Sequence, residues 1–156
     1  MTQRERTKRA TGASGDVEKR ALLELFRAGD RCRRFIAALL APWGLTPQQF
    51  NVLRILRGAG AQGLPTLVVG ERMLERTPGV TRMIDRLESR GLVIRRRCTE
   101  DRRRVFCAIA PAGLELLARL DDPVAAGDRR CFEELSAAEA ETLVGLLARC
   151  GPRAPA

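Results

Sequence analysis

Histidine and tyrosine are absent from this 156-residue chain, tryptophan occurs once, and serine only three times, as Ser14, Ser89 and Ser136. Without histidine the commonest acid–base side chain of enzymes is missing. None of the serines stands in a nucleophile motif, and no G-x-x-x-x-G-K phosphate loop occurs, so catalysis is the least supported class of function. Long apolar runs are also missing. The N-terminus is charged with no apolar segment behind it, which argues against a signal peptide or a membrane span and for a soluble cytoplasmic protein. Five cysteines (Cys32, Cys98, Cys107, Cys131 and Cys150) make an odd number without C-x-x-C pairing. That pattern fits neither a zinc site nor a disulfide scaffold, and it implies no cofactor.

Positive charge, by contrast, is abundant. The formal net charge is +9, and 26 of the 28 basic residues are arginines. Base composition alone can enrich arginine, but it would not place the excess in one part of the chain. Residues 72–104 carry a net +6, whereas residues 111–156 carry −3. A polyanion-binding face in the middle of the chain accounts for this distribution, because neutralised phosphates release counterions and drive association.

Hydrophobic periodicity organises the rest. Residues 1–16 are polar and aperiodic and read as a disordered basic tail. From Val17, Leu22, Leu25, Phe26, Cys32, Phe35, Ile36, Leu39 and Leu40 recur at helical spacing and predict an amphipathic helix over residues 17–40 or so. Thr46-Pro47-Gln48-Gln49 is a helix start, with a hydroxyl cap, proline at the first position and glutamine three residues after the cap. A second helix is therefore expected from Pro47 to about Arg57. A third is expected from Pro65 to about Leu74, packing through Leu67, Met73 and Leu74, with Gly70 weakening it. Thr77-Pro78 repeats the cap-plus-proline start. Val80, Ile84 and Leu87 then give a fourth helix one apolar stripe, ended by Gly91. Residues 92–97 and 104–110 are β-favouring runs joined by a polar hairpin tip. Pro111 reopens helix with Leu114, Leu117 and Leu120 on one side, Asp122-Pro123 is expected to kink or break it, and Ser136-Ala-Ala-Glu139 caps a last helix. Residues 151–156 read as a frayed end.

Two helices joined by a short turn and followed at once by a hairpin form the layout of a winged helix-turn-helix, within a mainly α fold. The fourth helix is then the recognition helix. Its apolar stripe faces the core, which leaves Pro78, Thr81, Arg82, Asp85, Arg86 and Ser89 outward on a surface sized for a DNA major groove. At the hairpin tip, Arg102, Arg103 and Arg104 would present guanidinium groups to a narrow minor groove, with Asp101 placed to hold the Arg103 guanidinium in an extended pose.

The stretches LTPQQFNVLRIL (45–56), TPGVTRMIDRLESRGLVIRR (77–96) and DRRRVFCAIAPAGLELL (101–117) resemble the multiple-antibiotic-resistance regulator (MarR) family over about residues 20–150. The resemblance implies a homodimer built from the first, fifth and sixth helices. It also implies double-stranded DNA as partner, with recognition helices in successive major grooves of a pseudo-palindromic operator and wings in the flanking minor grooves. By motif, Thr77, Gly79, Thr81 and Arg82 match the recognition-helix contacts, and Asp101 with Arg103 matches the wing-tip Asp-x-Arg pair. Residues 17–46 and 111–150 then supply dimerisation helices around a DNA-binding region at 47–110. Ala110 departs from the family where a capping Thr is common, and Gly70 departs within the third helix.

The resemblance further implies a repressor released by a small, often aromatic, effector bound between the dimerisation helices and the winged region. Phe35, Trp43, Phe50 and Met73 are the candidate lining, with Arg31 or Arg34 to hold an acidic group. Two other readings stand beside this one. Cys98, next to Arg95, Arg96 and Arg97, is a candidate redox sensor, and the same fold also serves as a protein-interaction module for acidic partners.

Overall fold

The computed structural model describes residues 3–74, 78–97 and 105–151, with side chains placed from residue 15 onward and Arg97 described by its backbone alone. Among the described residues there are six α-helices: α1 (Gln3–Leu40), α2 (Pro47–Ala59), α3 (Thr66–Arg72), α4 (Val80–Ser89), α5 (Pro111–Cys131) and α6 (Ala137–Leu147). Strands β1 (Leu64–Pro65), β2 (Val93–Arg97) and β3 (Val105–Ile109) form an antiparallel sheet in the order β1-β3-β2. The expected hairpin is thus joined by a third strand, with Leu64 opposite Cys107 and Arg95 also opposite Cys107 from the other side.

Local chemistry explains most of these boundaries. Thr46 Oγ1 accepts a hydrogen bond from the Gln49 amide at 3.2 Å, and Gln49 Oε1 accepts one from the Thr46 amide at 3.0 Å, the reciprocal cap that opens α2. Ser136 and Glu139 open α6 in the same way. Ala110 at the head of α5 makes no side-chain cap, as its methyl group requires.

Four expectations need correction. Helix α1 starts at Gln3 and takes in most of the stretch read as a disordered tail. Residues 3–16 contain no proline, and adding turns to an existing helix avoids the cost of nucleation. Helix α3 ends at Arg72, and of its predicted packing residues only Met73 is buried; Leu67 is 75% and Leu74 90% exposed, while Val69 enters the core instead. Helix α4 begins at Val80, because Gly79 ahead of it is left-handed (φ 86°), a conformation that helix cannot continue. Helix α5 runs on through Pro123, since Leu120 and Val124 on either side are buried and hold the backbone against the core. It stops at Cys131, and Leu114 on its first turn stays exposed.

The core lies beneath α4. Leu53, Leu56, Val69, Ile84, Leu87, Leu117 and Leu120 are fully buried there with Leu40 from the end of α1, so the helix-turn-helix, the hairpin and α5 share one apolar centre.

Candidate nucleic-acid interface

Helix α4 is seated by Ile84 and Leu87, both fully buried, and by the partly buried Val80 and Met83. This anchoring turns Pro78, Gly79, Thr81, Arg82, Asp85, Arg86 and Ser89 to solvent, the face read from the sequence as the recognition surface. Pro78, Gly79, Thr81, Arg82 and Arg86 line an open cleft of about 730 Å³ together with Thr46 and Gln48. The start of α2, with its positive dipole end, therefore borders the same groove as the arginines of α4. Sequence reasoning treated Thr46 and Gln48 only as helix-start residues. Nothing in their spacing shows that α2 begins beside α4.

A second feature missed in the sequence is the latch between α4 and the wing. Arg95 on β2 is 23% exposed, with Nη1 against Asp85 Oδ1 at 2.5 Å and Glu88 Oε2 at 3.5 Å. Its Nη2 donates to the Thr81 carbonyl at 3.1 Å. Burial alone would favour losing the proton, but the hydrogen bond and charge of Asp85, followed by the charge of Glu88, outweigh it and raise the Arg95 pKa. Asp85 is thereby committed to holding the wing, not to facing a ligand. The alternation of β2, with Val93 and Arg95 inward and Ile94 and Arg96 outward, carried the signal. In a run of three arginines it was hidden by identical residue types.

The other end of α4 is tied to the end of α1. Arg90 Nη1 donates to the Gly44 carbonyl at 2.6 Å and Nη2 to the Trp43 carbonyl at 3.0 Å. The Arg119 guanidinium of α5 sits over the Trp43 ring, 4.8 Å from its centroid. The groove-facing helix is thus fixed at one end to the wing and at the other to the junction of α1 with α2.

The MarR family model matches residues 45–105. A putative transcriptional regulatory protein for the hcr operon of Thauera aromatica is 31% identical over 117 residues, which cover 75% of this chain and 69% of that protein. The MarR transcription factor of Planctomyces limnophilus is 38% identical, with a TM-score of 0.69, 85% of this chain covered and 96% of that one. The chain belongs to the MarR family. It is also similar to a mutant MarR from E. coli complexed with operator DNA (26% identity, TM-score 0.74, covering 82% and 91% of the two chains). The MarR-family chain is accordingly a DNA-binding transcriptional regulator with a winged-helix fold.

The remaining candidate residues divide three ways. Thr77, Cys98, Asp101, Arg102, Arg103 and Arg104 lie outside the described residues. Phe50 and Met73, offered as effector lining, are core residues, and Trp43 lies under Arg119. Arg34 pairs with Asp30 on its own helix at 2.9 Å. Only Arg31 and Phe35 come together at a cleft, of about 540 Å³, formed by α1, the end of α5 and α6. The candidate effector residues therefore do not form one site, because helical phase sends Phe50 into the winged core and Phe35 out toward α6.

Proposed function

We propose that this regulator is a homodimeric, ligand-responsive repressor of a pseudo-palindromic operator. The observation that carries the reading is the face of α4: Thr81, Arg82 and Arg86 stand exposed beside the start of α2 on a helix held rigidly by its opposite side. Arg82 and Arg86 have the fork geometry to grip guanine edges or phosphates, and Thr77, Pro78 and Gly79 shape the approach of the helix end. Asp101, Arg102, Arg103 and Arg104 serve the minor groove. Neither enzymatic activity nor a bound cofactor belongs to this reading, and cytoplasmic residence fits it. No helix among the described residues is long and apolar enough to cross a membrane.

A small acidic aromatic effector fits the cleft at Arg31 and Phe35, where Arg130 lies 5.7 Å from the Phe35 ring centroid. Such a ligand would alter the spacing of the two recognition helices, which must stay about one helical turn apart to engage both half-sites.

Fluorescence anisotropy of the full-length protein, on its own upstream DNA and on random duplex at about 150 mM salt, tests the proposal. Preference for the upstream fragment by orders of magnitude is expected. Arg82→Ala should cost about 1–3 kcal/mol and relax base preference, and Arg103→Ala should weaken binding with a smaller salt slope. Equal, weak binding to both duplexes would favour a protein-interaction module instead, and unchanged affinity in both variants would displace the interface from this face.

A further inference from the structure

The corner between α1 and α2 (residues 41–46) denies the Trp43 carbonyl a donor from its own neighbourhood. A helical turn would offer it the amides of residues 46 and 47. The Thr46 amide, however, is engaged by Gln49 Oε1 at 3.0 Å, and Pro47 has no N–H. Arg90, the cap residue at the end of α4, supplies the donor from across the molecule: Nη2 reaches the Trp43 carbonyl at 3.0 Å and Nη1 the next carbonyl, that of Gly44, at 2.6 Å. Gly44 is left-handed (φ 65°), and a Cβ on it would lie 3.4 Å from Arg90 Nη2. Both bonds are charge-assisted and end on main chain, so they hold the path of the corner itself. Arg119 of α5 covers the Trp43 ring from its own side, 4.8 Å from the centroid. On the α4 side, the Gly91 amide bonds the Glu88 carbonyl at 2.8 Å and the Leu92 amide the Leu87 carbonyl at 3.0 Å, which fixes the Arg90 backbone to the helix end.

We infer that Arg90 is a positioning residue for operator recognition: its fork pins the end of α4 to the corner between α1 and α2 and so sets the angle at which α4 meets DNA. This role rests on the proposed reading of α4 as the DNA-facing helix of an operator-binding dimer. Arg90 stands beyond the groove that Pro78, Thr81, Arg82 and Arg86 line, and its two terminal nitrogens are engaged with main chain, so it acts through geometry. The fork is essential, because two carbonyls need two separate nitrogens and a lysine ammonium is a single point. An α4 released at this end keeps its charge, and with it the affinity for any duplex, but no longer aims its side chains at base edges in both half-sites together.

The test compares the full-length parent with Arg90→Lys, which keeps the charge without the fork, and Arg90→Met, which loses both. Trp43 is the only tryptophan of the chain, so its emission reports on the corner. Without DNA, both variants should shift that emission to the red and raise its quenching by acrylamide, with far-ultraviolet circular dichroism unchanged. In anisotropy titrations both should lose about tenfold of the preference for the protein's own upstream DNA over random duplex. Arg90→Lys should bind random duplex with the parental affinity and salt slope. Parental preference in Arg90→Lys would assign the role to charge alone. An equal loss on both duplexes, with a salt slope smaller by about one in Arg90→Met, would make Arg90 a phosphate contact. Either result overturns the inference. A parent without preference for the upstream DNA defeats the operator reading, whereas parental quenching in both variants defeats the pin whatever DNA is bound.

Discussion

The winged unit and the helices that flank it treat apolar side chains in opposite ways. Between α2 and β3, Val52, Leu53, Leu56, Val69, Ile84 and Leu87 are completely buried. Leu67, Leu74 and Ile94 are the exposed exceptions among the described residues. Along α1 and α6, Leu22, Leu25, Phe26, Val144, Leu146 and Leu147 stay 40–64% exposed, and α6 buries no residue at all. Each exposed side chain leaves on the order of 1 kcal/mol or more of transfer free energy unrealised, and apolar exposure repeated along two helices marks an interaction surface. The difference teaches that the reading head closes its own core, while the flanking helices leave apolar side chains open, the surface that the proposed homodimer would cover.

The most damaging way to challenge that contrast is to charge the open face. The double substitution Phe26→Asp with Leu146→Asp should convert the dimer to monomer in sedimentation velocity and lower operator affinity by about 10²-fold or more. Two half-sites would then no longer be bound at a shared effective concentration. The far-ultraviolet circular dichroism of the winged unit should survive, since none of its buried residues is touched. A variant that stays dimeric with unchanged affinity would show that the exposed stripe is not the interface.

Legibility in the sequence followed the same divide. Caps and hairpin were readable because Thr46, Ser136 and the two β-favouring runs act through neighbours a few residues away. Strand β1 was not: two residues cannot show a period of two, and Pro65 within it suggests a helix start as readily as an edge strand. The continuity of α5 through Pro123 depends on burial of Leu120 and Val124, a tertiary effect that overrides local propensity. Of the face read as recognition surface, Pro78, Thr81, Arg82 and Arg86 were placed by phase and Gly79 by the family motif, whereas the Arg95 latch depends on which elements lie side by side. The effector lining failed for that reason too. Helical spacing groups Phe35 with the apolar residues of α1, but only packing decides which of them the core takes.

A smaller effect sharpens the contrast from the winged side. Arg95→Met keeps the aliphatic length but removes the contacts to Asp85, Glu88 and the Thr81 carbonyl. It should cost about 1 kcal/mol in urea unfolding, because Asp85 and Glu88 are 50% and 40% exposed and solvent screens their contacts. DNA affinity should fall with it, as the wing loses its fixed position against α4. Arg96→Met on the exposed face of the same strand should stay within about 0.5 kcal/mol. Equal losses in the two variants would mean that charge on β2, not the latch, sets stability.

The smallest effect lies where the two regions are joined. Arg57 at the end of α2 donates to both carboxylate oxygens of Asp121 on α5, at 2.9 and 2.8 Å. The hydrogen bond from Arg57 leads in holding the Asp121 carboxyl below its ordinary value of 3.8; burial opposes it, and the charges of Arg57 and Arg54 add to the lowering. A carboxyl whose folded pKa is depressed adds stability that is fully present above its unfolded pKa and is lost as pH falls through the folded one. The contribution should therefore be complete at pH 7 and fade below about pH 4. Because the side chains are 35% and 50% exposed, solvent screening limits it to about 0.5 kcal/mol. Urea midpoints of the parent and Arg57→Gln, measured at one protein concentration from pH 7 to pH 2.5, should differ by that amount at neutral pH and converge in acid. Added salt should narrow the neutral-pH gap. A gap that persists at the acid end would assign the loss to the packing of the Arg57 stem, and the joint between reading head and flanking helix would then be apolar rather than ionic.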